Sequence, residues 1–135
     1  MPGIANSIIT PQTPQSNFVA CSTANATYTT TPTNTVLIAT AGASGARLTK
    51  LRAIPLATVT ATQLQEFRSL DAGATKRFSN SALMAAYTMA QTTAAPVTDF
   101  GYSDDNPKIL QASEQLYVAI GVTGAIAFEA EWANY

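Results

Sequence analysis

The clearest signal in the chain is the alternation of apolar residues near its end. In residues 115–122 every second residue is a large aliphatic one, and in residues 125–132 every second residue is apolar while Glu129 and Glu131 lie between. Strict alternation is typical of a strand with one buried and one solvent-facing side. Because only the Thr123-Gly124 link separates the two runs, the pattern predicts an antiparallel hairpin.

Similar patterns predict further strands upstream. They cover residues 26–30, 35–40 (a central strand), 46–60 (with a bulge or edge position at Pro55) and 91–100. Residues 63–70 and 75–78 predict a second hairpin, in which Gly73 supplies a positive φ. The spacing of Leu64, Phe67 and Leu70 also fits a helix, but the following Asp-Ala-Gly turn favours a strand.

One segment has helical character. Ser79-Asn80-Ser81 offers capping residues ahead of the Ala-, Leu- and Met-rich residues 82–90. The segment is either a short helix near 81–90 or an irregular crossover between two sheets.

The first 25 residues contain three prolines and no sustained periodicity. Proline removes a backbone donor and biases its predecessor toward extended conformations, so residues 1–25 are expected to be extended. They form either a disordered tail or an arm that docks on a neighbouring subunit. In the second case the candidate contact residues are Ile8, Ile9, Phe18 and Val19, whose burial would offset the entropy lost on ordering.

Together these patterns predict an all-β fold. The links are short and turn-rich, which favours an antiparallel β-sandwich, jelly-roll-like, over a parallel sheet. A length of 135 residues fits one domain, so we expect a sandwich over residues 26–135 that carries an extended N-terminal arm over residues 1–25.

The composition changes the picture of the surface. The chain is 47% hydrophobic and only 11% charged, against about 25% charged in ordinary domains. Its surface must consist largely of Thr, Ser, Asn, Gln and Ala, which suits a subunit covered by its neighbours, although secreted β-proteins share this character.

Charge and hydropathy argue against two classes of partner. A net charge of −1 without a basic cluster provides no footprint for nucleic acid. No apolar run approaches the roughly 20 residues that span a bilayer, and residues 1–7 lack the features of a secretory signal. We expect the chain to be made in a cytoplasm and to remain soluble or join an assembly there.

The residues suited to catalysis are sparse. Histidine is absent and Cys21 is the single cysteine, which excludes an intrachain disulfide and a cysteine-based zinc site. Cys21 follows Phe18-Val19-Ala20 and is expected to be a small buried hydrophobe. We therefore predict no enzymatic activity, no cofactor and no catalytic or metal-binding residue.

Three clusters are candidate sites. Asp104-Asp105-Asn106, with Asp99, fits a solvated turn better than a Ca²⁺ loop, and Glu129 with Glu131 fits an exposed strand face better than a pair of catalytic acids. A third set could form an aromatic platform for a sugar: Tyr102, Tyr117, Trp132 and Tyr135, of which Trp132 is expected in the core.

Several stretches resemble the small β-sandwich virion proteins of tailed bacteriophages and related prophages. They are residues 33–37, Arg52-Ala53-Ile54-Pro55, residues 57–65, residues 81–88, and residues 98–107 continuing to Leu116-Tyr117-Val118. Many such proteins have a Gly-Asp turn before the last of these strands, where this chain has Ser113-Glu114.

The resemblance implies a structural role in a phage particle. The expected function is capsid decoration (cement), with the major capsid protein and copies of the chain itself as partners, in trimers or dimers on the virion surface. The alternatives are a neck or tail component, separable by copy number per particle, and a carbohydrate-binding sandwich for host attachment.

Overall fold

A computed structural model describes residues 13–135, and all regular elements in this range are strands. They are β1 (Thr13–Cys21), β2 (Val36–Thr40), β3 (Ala46–Pro55), β4 (Thr62–Ser69), β5 (Arg77–Met84), β6 (Thr98–Asp99), β7 (Lys108–Leu110), β8 (Gln115–Ile120) and β9 (Ile126–Asn134). Over this range no helix is long and apolar enough to cross a membrane.

The strands form two antiparallel sheets that pack face to face. Sheet A has the order β1-β9-β3-β6, with β7 also paired to β3, and sheet B has the order β2-β8-β4-β5. β6 pairs with Arg52 and Ala53, whereas β7 pairs with residues 46–48 of the same strand. β6 and β7 together therefore form one fourth strand of sheet A, interrupted by the loop over residues 100–107.

The pairings are nested around the β4–β5 hairpin. Outside it, β3 pairs with β6 and β7, β2 pairs with β8, and β1 pairs with β9. This winding of strand pairs into two sheets is that of a jelly roll, an architecture found in viral capsid and lectin domains. The predicted all-β, jelly-roll-like antiparallel sandwich is confirmed.

The core lies between the inner faces of the two sheets. Each terminal strand buries residues that the alternation predicted, including Leu116 and Val118 of β8 and Phe128 of β9, whereas Val122 lies beyond β8 and is 44% exposed. Leu48 and Leu51 of β3 fill the centre and are fully buried. The period-two pattern of the sequence therefore identified the buried side of these strands correctly.

The predicted hairpin of the two terminal strands is wrong. β8 pairs with β2 and β4 in sheet B, whereas β9 pairs with β1 and β3 in sheet A. The link over residues 121–125 crosses from one sheet to the other. Alternation reports which side of a strand is buried, and two strands that face one core from opposite sheets show the same pattern as two neighbours.

The other hairpin is confirmed. β4 pairs with β5 from Thr62↔Met84 to Arg68↔Arg77, and Gly73 in the connecting turn has a φ of 90°. The helix alternative for residues 63–70 fails because both sides of β4 are covered, which suits a strand between two layers.

Four local predictions differ from the structure. Residues 26–30 are irregular, residues 35–40 contribute the edge strand β2 instead of a central one, and β6 covers only two residues of the range 91–100. The bulge in β3 lies between Leu48 and Lys50 and not at Pro55, where the strand ends.

The predicted choice between helix and crossover near 81–90 is resolved for the crossover. Residues 81–84 complete β5, and residues 85–90 are irregular apart from a bridge between Val59 and Tyr87. Pairing of β5 with β4 supplies the backbone hydrogen bonds that a helix would otherwise make.

The described part of the predicted arm belongs to the sandwich. β1 pairs with β9 over nine consecutive residues, from Thr13↔Asn134 to Cys21↔Ile126. The expected boundary at residue 25 thus does not separate residues 13–21 from the domain. Residues 1–12 lie outside the described residues.

Candidate functional site

The outer faces of the two sheets differ in what covers them. On sheet B, the segment over residues 22–35 packs on the outer side of β4, where Gln65 and Phe67 are both fully buried. Asn25 donates to Gln65 Oε1 at 2.9 Å, and Phe78 stacks between Phe67 and Tyr28 with ring centroids 5.4 and 4.8 Å apart. The chain itself therefore supplies a second layer over β4 of sheet B.

Sheet A has no such layer among the residues that the structure describes. Its strand register places Phe18, Glu129 and Arg52 side by side in one row across the outer face. The next row holds Ala20, Ala127 and Ile54. Phe18 is 67% exposed and Ile54 36% exposed, so apolar side chains of this face are in contact with water.

These apolar side chains line one depression of about 240 Å³. Its lining includes Phe18, Ile54, Ala127 and Val97, of which Val97 is 48% exposed. The volume falls below the roughly 300–1,000 Å³ of ordinary small-molecule pockets. The depression has room for one or two side chains.

Two ion pairs join β3 and β9 on the same face. Arg52 Nε lies 2.6 Å from Glu129 Oε1, and Lys50 Nζ lies 3.2 Å from Glu131 Oε2. The glutamates thus face cations and not each other, as expected of an exposed strand face. Exposed pairs of this kind contribute about 0–1 kcal/mol. Asp99, opposite Arg52 in the register, accepts a hydrogen bond from the amide of Gly101 at 2.7 Å.

The structure separates the predicted contact residues. Ile8 and Ile9 lie outside the described residues. Phe18 points outward into the depression, whereas Val19 is half-buried and packs against the core of its own sandwich. The role of all four residues as contacts with a partner stays a prediction, and on β1 the exposed large apolar side chain is that of Phe18.

Sequence reasoning missed a polar cluster between the sheets. Glu66 on the inner side of β4 is fully buried and accepts hydrogen bonds from Ser79 Oγ, Lys108 Nζ and, at 2.8 Å, the hydroxyl of Tyr102. Burial and the nearby Glu66 raise the pKa of Tyr102, so its phenol stays protonated and donates. Asn80 Nδ2 donates to the same hydroxyl at 2.9 Å.

A second buried charge lies beside this cluster. Arg68 Nη2 donates to Glu114 Oε1 at 2.8 Å and to the carbonyl of Ile109 at 3.0 Å, and the amide of Gln111 donates to Glu114 at 2.8 Å. The hydrogen bond to Glu114 raises the pKa of Arg68. Burial tends to raise the pKa of Glu114, but the bonds from Arg68 and Gln111 outweigh it and the pKa is lowered.

The cluster around Glu66 and the Arg68–Glu114 pair join the two sheets on the side where β5 and β7 meet. Their buried carboxylates are tolerated because each carboxylate is paired with a cation and hydrogen-bonded. The available signal was the alternation within β4: Leu64, Glu66 and Arg68 share one side while Phe67 occupies the other. Large or charged residues on both sides of one strand indicate that both sides are covered.

The remaining candidates do not form a site. Cys21 is buried, and burial raises the pKa of its thiol to about 12, as expected of a small hydrophobe. Over residues 13–135, no three acidic, His or Cys side chains come together to hold a metal ion.

The predicted aromatic platform is dispersed. Trp132 is buried in the core, as expected, and Tyr102 belongs to the cluster around Glu66. Tyr117 lies on the outer face of sheet B, where Lys76 Nζ is 4.7 Å from its ring centroid. The structure thus offers no surface on which these rings could stack together against a sugar.

Comparison with known proteins adds no family. Scans against protein-family models, curated proteins and solved structures each returned no match.

Proposed function

We propose that this chain is a structural subunit of a bacteriophage particle that decorates the capsid and contacts the major capsid protein through the outer face of sheet A. The observation that carries the proposal is a contrast among the described residues: residues 22–35 cover the outer side of β4 in sheet B, whereas sheet A gathers the exposed side chains of Phe18, Ile54 and Val97 around one depression. The resemblance noted in the sequence supports the choice of a phage particle.

The face suits contact with a protein better than contact with a small ligand. Its apolar depression accepts side chains, and burial of apolar surface contributes about 25 cal/mol per Å². The ion pairs beside it, Arg52–Glu129 and Lys50–Glu131, neutralise four charges that would otherwise have to lose water unpaired.

The architecture is compatible with this role. Jelly rolls recur in viral capsid domains, although the fold alone does not determine function. A surface with few charges and many Thr, Ser and Ala side chains fits a subunit that is in contact with neighbouring subunits on the virion.

Copy number tests the proposal directly. The chain should be quantified by mass spectrometry in purified particles of the phage or prophage that encodes it. Decoration predicts hundreds of copies per particle. About a dozen would place the chain at a neck or tail ring, and its absence from the particle would refute a virion role.

A matched pair of variants tests the face. Ile54→Lys adds a charge inside the depression, whereas Leu83→Lys adds the same charge at an exposed site on β5, 72% exposed. We expect Ile54→Lys to lower occupancy on particles at least tenfold and Leu83→Lys to leave it unchanged. Equal occupancy of both variants would exclude the outer face of sheet A as the contact.

A further inference from the structure

The four lateral edges of the two sheets are not equally protected. An unpaired strand edge is a template for another strand, and proteins block such edges with bulges, charges, interruptions or short strands. Three edges of this sandwich carry such a device. β2 has five residues and a register shift at Leu37/Ala39, β5 has a shift opposite Glu66/Phe67 and the charge of Arg77, and the β6–β7 edge is interrupted by a loop.

The fourth edge, β1, carries none of them. It runs for nine residues in continuous one-to-one register with β9, without a bulge and without a charged side chain. Among the described residues, its backbone hydrogen bonds are limited to those with β9. Proline occurs only at Pro14, near its first residue.

Charge favours a second copy of the same chain as the partner of this edge. Residues 1–46 contain no Asp, Glu, Lys or Arg, and the first charged side chain is Arg47. Glu129 and Glu131 on the neighbouring strand are neutralised by cations. Two copies can therefore approach edge to edge without like-charge repulsion, and an antiparallel edge is complementary to itself across a two-fold axis.

We infer that β1 pairs antiparallel with β1 of a second copy, with Phe18 opposite Phe18 of that copy, so that two A sheets become one continuous sheet. In this register residues 15–21 pair, and Pro14, which lacks an N–H, lies outside the paired stretch. The facing phenyl rings lie on the outer face, where opposite Cβ atoms are about 4.5–5.5 Å apart. The inference does not depend on the proposed virion role.

Molecular mass in solution tests the pairing. We expect sedimentation equilibrium of the full chain to give twice the 14.1 kDa of one copy. Phe18→Lys should restore the mass of one copy because it places two ammonium groups opposite each other, while Leu83→Lys should not. The inference would be overturned if the chain were a monomer at all concentrations, if it were a trimer, or if the Phe18→Lys variant were still a dimer.

Mixing variants of opposite charge at position 18 distinguishes loss of pairing from a folding defect. Phe18→Glu alone should also be monomeric, whereas an equimolar mixture with Phe18→Lys should recover the dimer as a heterodimer. Monomers in the mixture, with circular dichroism matching that of the unaltered chain, would contradict the β1 pairing.

Cysteine pairs test the register. Phe18→Cys should form an interchain disulfide under mild oxidation, and so should a mixture of Ser16→Cys with Ala20→Cys. Ser16→Cys and Ala20→Cys tested separately should cross-link far less, and the native Cys21 is buried. Cross-linking of Ala20→Cys with itself but not of Phe18→Cys would refute the register.

Discussion

Sheets A and B share one core but differ on their outer sides. The outer side of β4 in sheet B is sealed: Phe67 lies under Phe78 and Tyr28, and Gln65 is held by Asn25. The corresponding side of sheet A leaves Phe18 and Ile54 in water. The comparison teaches that, among the described residues, the chain covers the outer side of β4 with its own segment and leaves the outer side of sheet A exposed.

The largest expected effect is the difference in stability lost when Phe67 or Phe18 is replaced by alanine. Phe67→Ala removes a fully buried ring beneath the covering segment and should lower the free energy of unfolding by about 3–5 kcal/mol. Phe18→Ala removes an exposed ring and should change it by no more than about 0.5 kcal/mol. Urea unfolding of both variants, at a concentration where the chain is monomeric, measures the difference. Equal losses would mean that the two outer sides are not distinct.

The next largest effect is the difference in stability lost when a buried glutamate between the sheets or an ion-paired glutamate on the outer face of sheet A is neutralised. Glu114→Gln weakens a buried, charge-assisted contact with Arg68 and should cost about 1.5–3 kcal/mol at pH 7. Glu129→Gln, on the outer face of sheet A, should cost about 0–1 kcal/mol.

The contact between Glu114 and Arg68 also predicts that stability depends on pH. Because the folded pKa of Glu114 lies below its ordinary value of 4.5, its carboxylate contributes stability above that pH and loses it as the pH falls through the folded pKa. The difference in unfolding free energy between the unaltered chain and Glu114→Gln should therefore be constant from pH 7 to about 5 and shrink below 4.5. A difference that grows on acidification would contradict this assignment.

A smaller effect tests how the covering segment is anchored. The buried side chain of Asn25 donates to the carbonyl of Thr27 at 2.8 Å and to Gln65 at 2.9 Å, and accepts from the amide of Thr33. Asn25→Ala leaves Gln65 without this donor and should cost about 1–3 kcal/mol. Hydrogen exchange should accelerate in residues 26–34 while β9 stays protected. Thr31→Ala, at an exposed position of the same segment, is the matched control.

The sequence predicts which side of a strand is buried more reliably than it predicts which strands pair with each other. Alternation correctly predicts that Phe128 and Trp132 are buried, because facing depends only on local periodicity. It cannot show that β8 and β9 lie in different sheets, since both turn their apolar sides to one core. Turn chemistry, in contrast, correctly predicts the β4–β5 hairpin, where Gly73 adopts the left-handed conformation.

The candidate site was predicted only at Phe18. Its neighbours Ile54, Val97 and Ala127 come from three other segments, and strand order brings them together, which no spacing along the chain reveals. Likewise, Lys108 reaches Glu66 across 42 positions of sequence. Such pairs follow from the nested winding of the sandwich, and the winding is not encoded in any one segment.

The most direct test of the contact face is hydroxyl-radical footprinting of the chain in purified particles against the chain free in solution. Our account predicts that oxidation of Ile54 and Val97 falls several-fold in the particle while oxidation of Leu83 on β5 is unchanged. Protection of Leu83 with Ile54 and Val97 still fully reactive would contradict it.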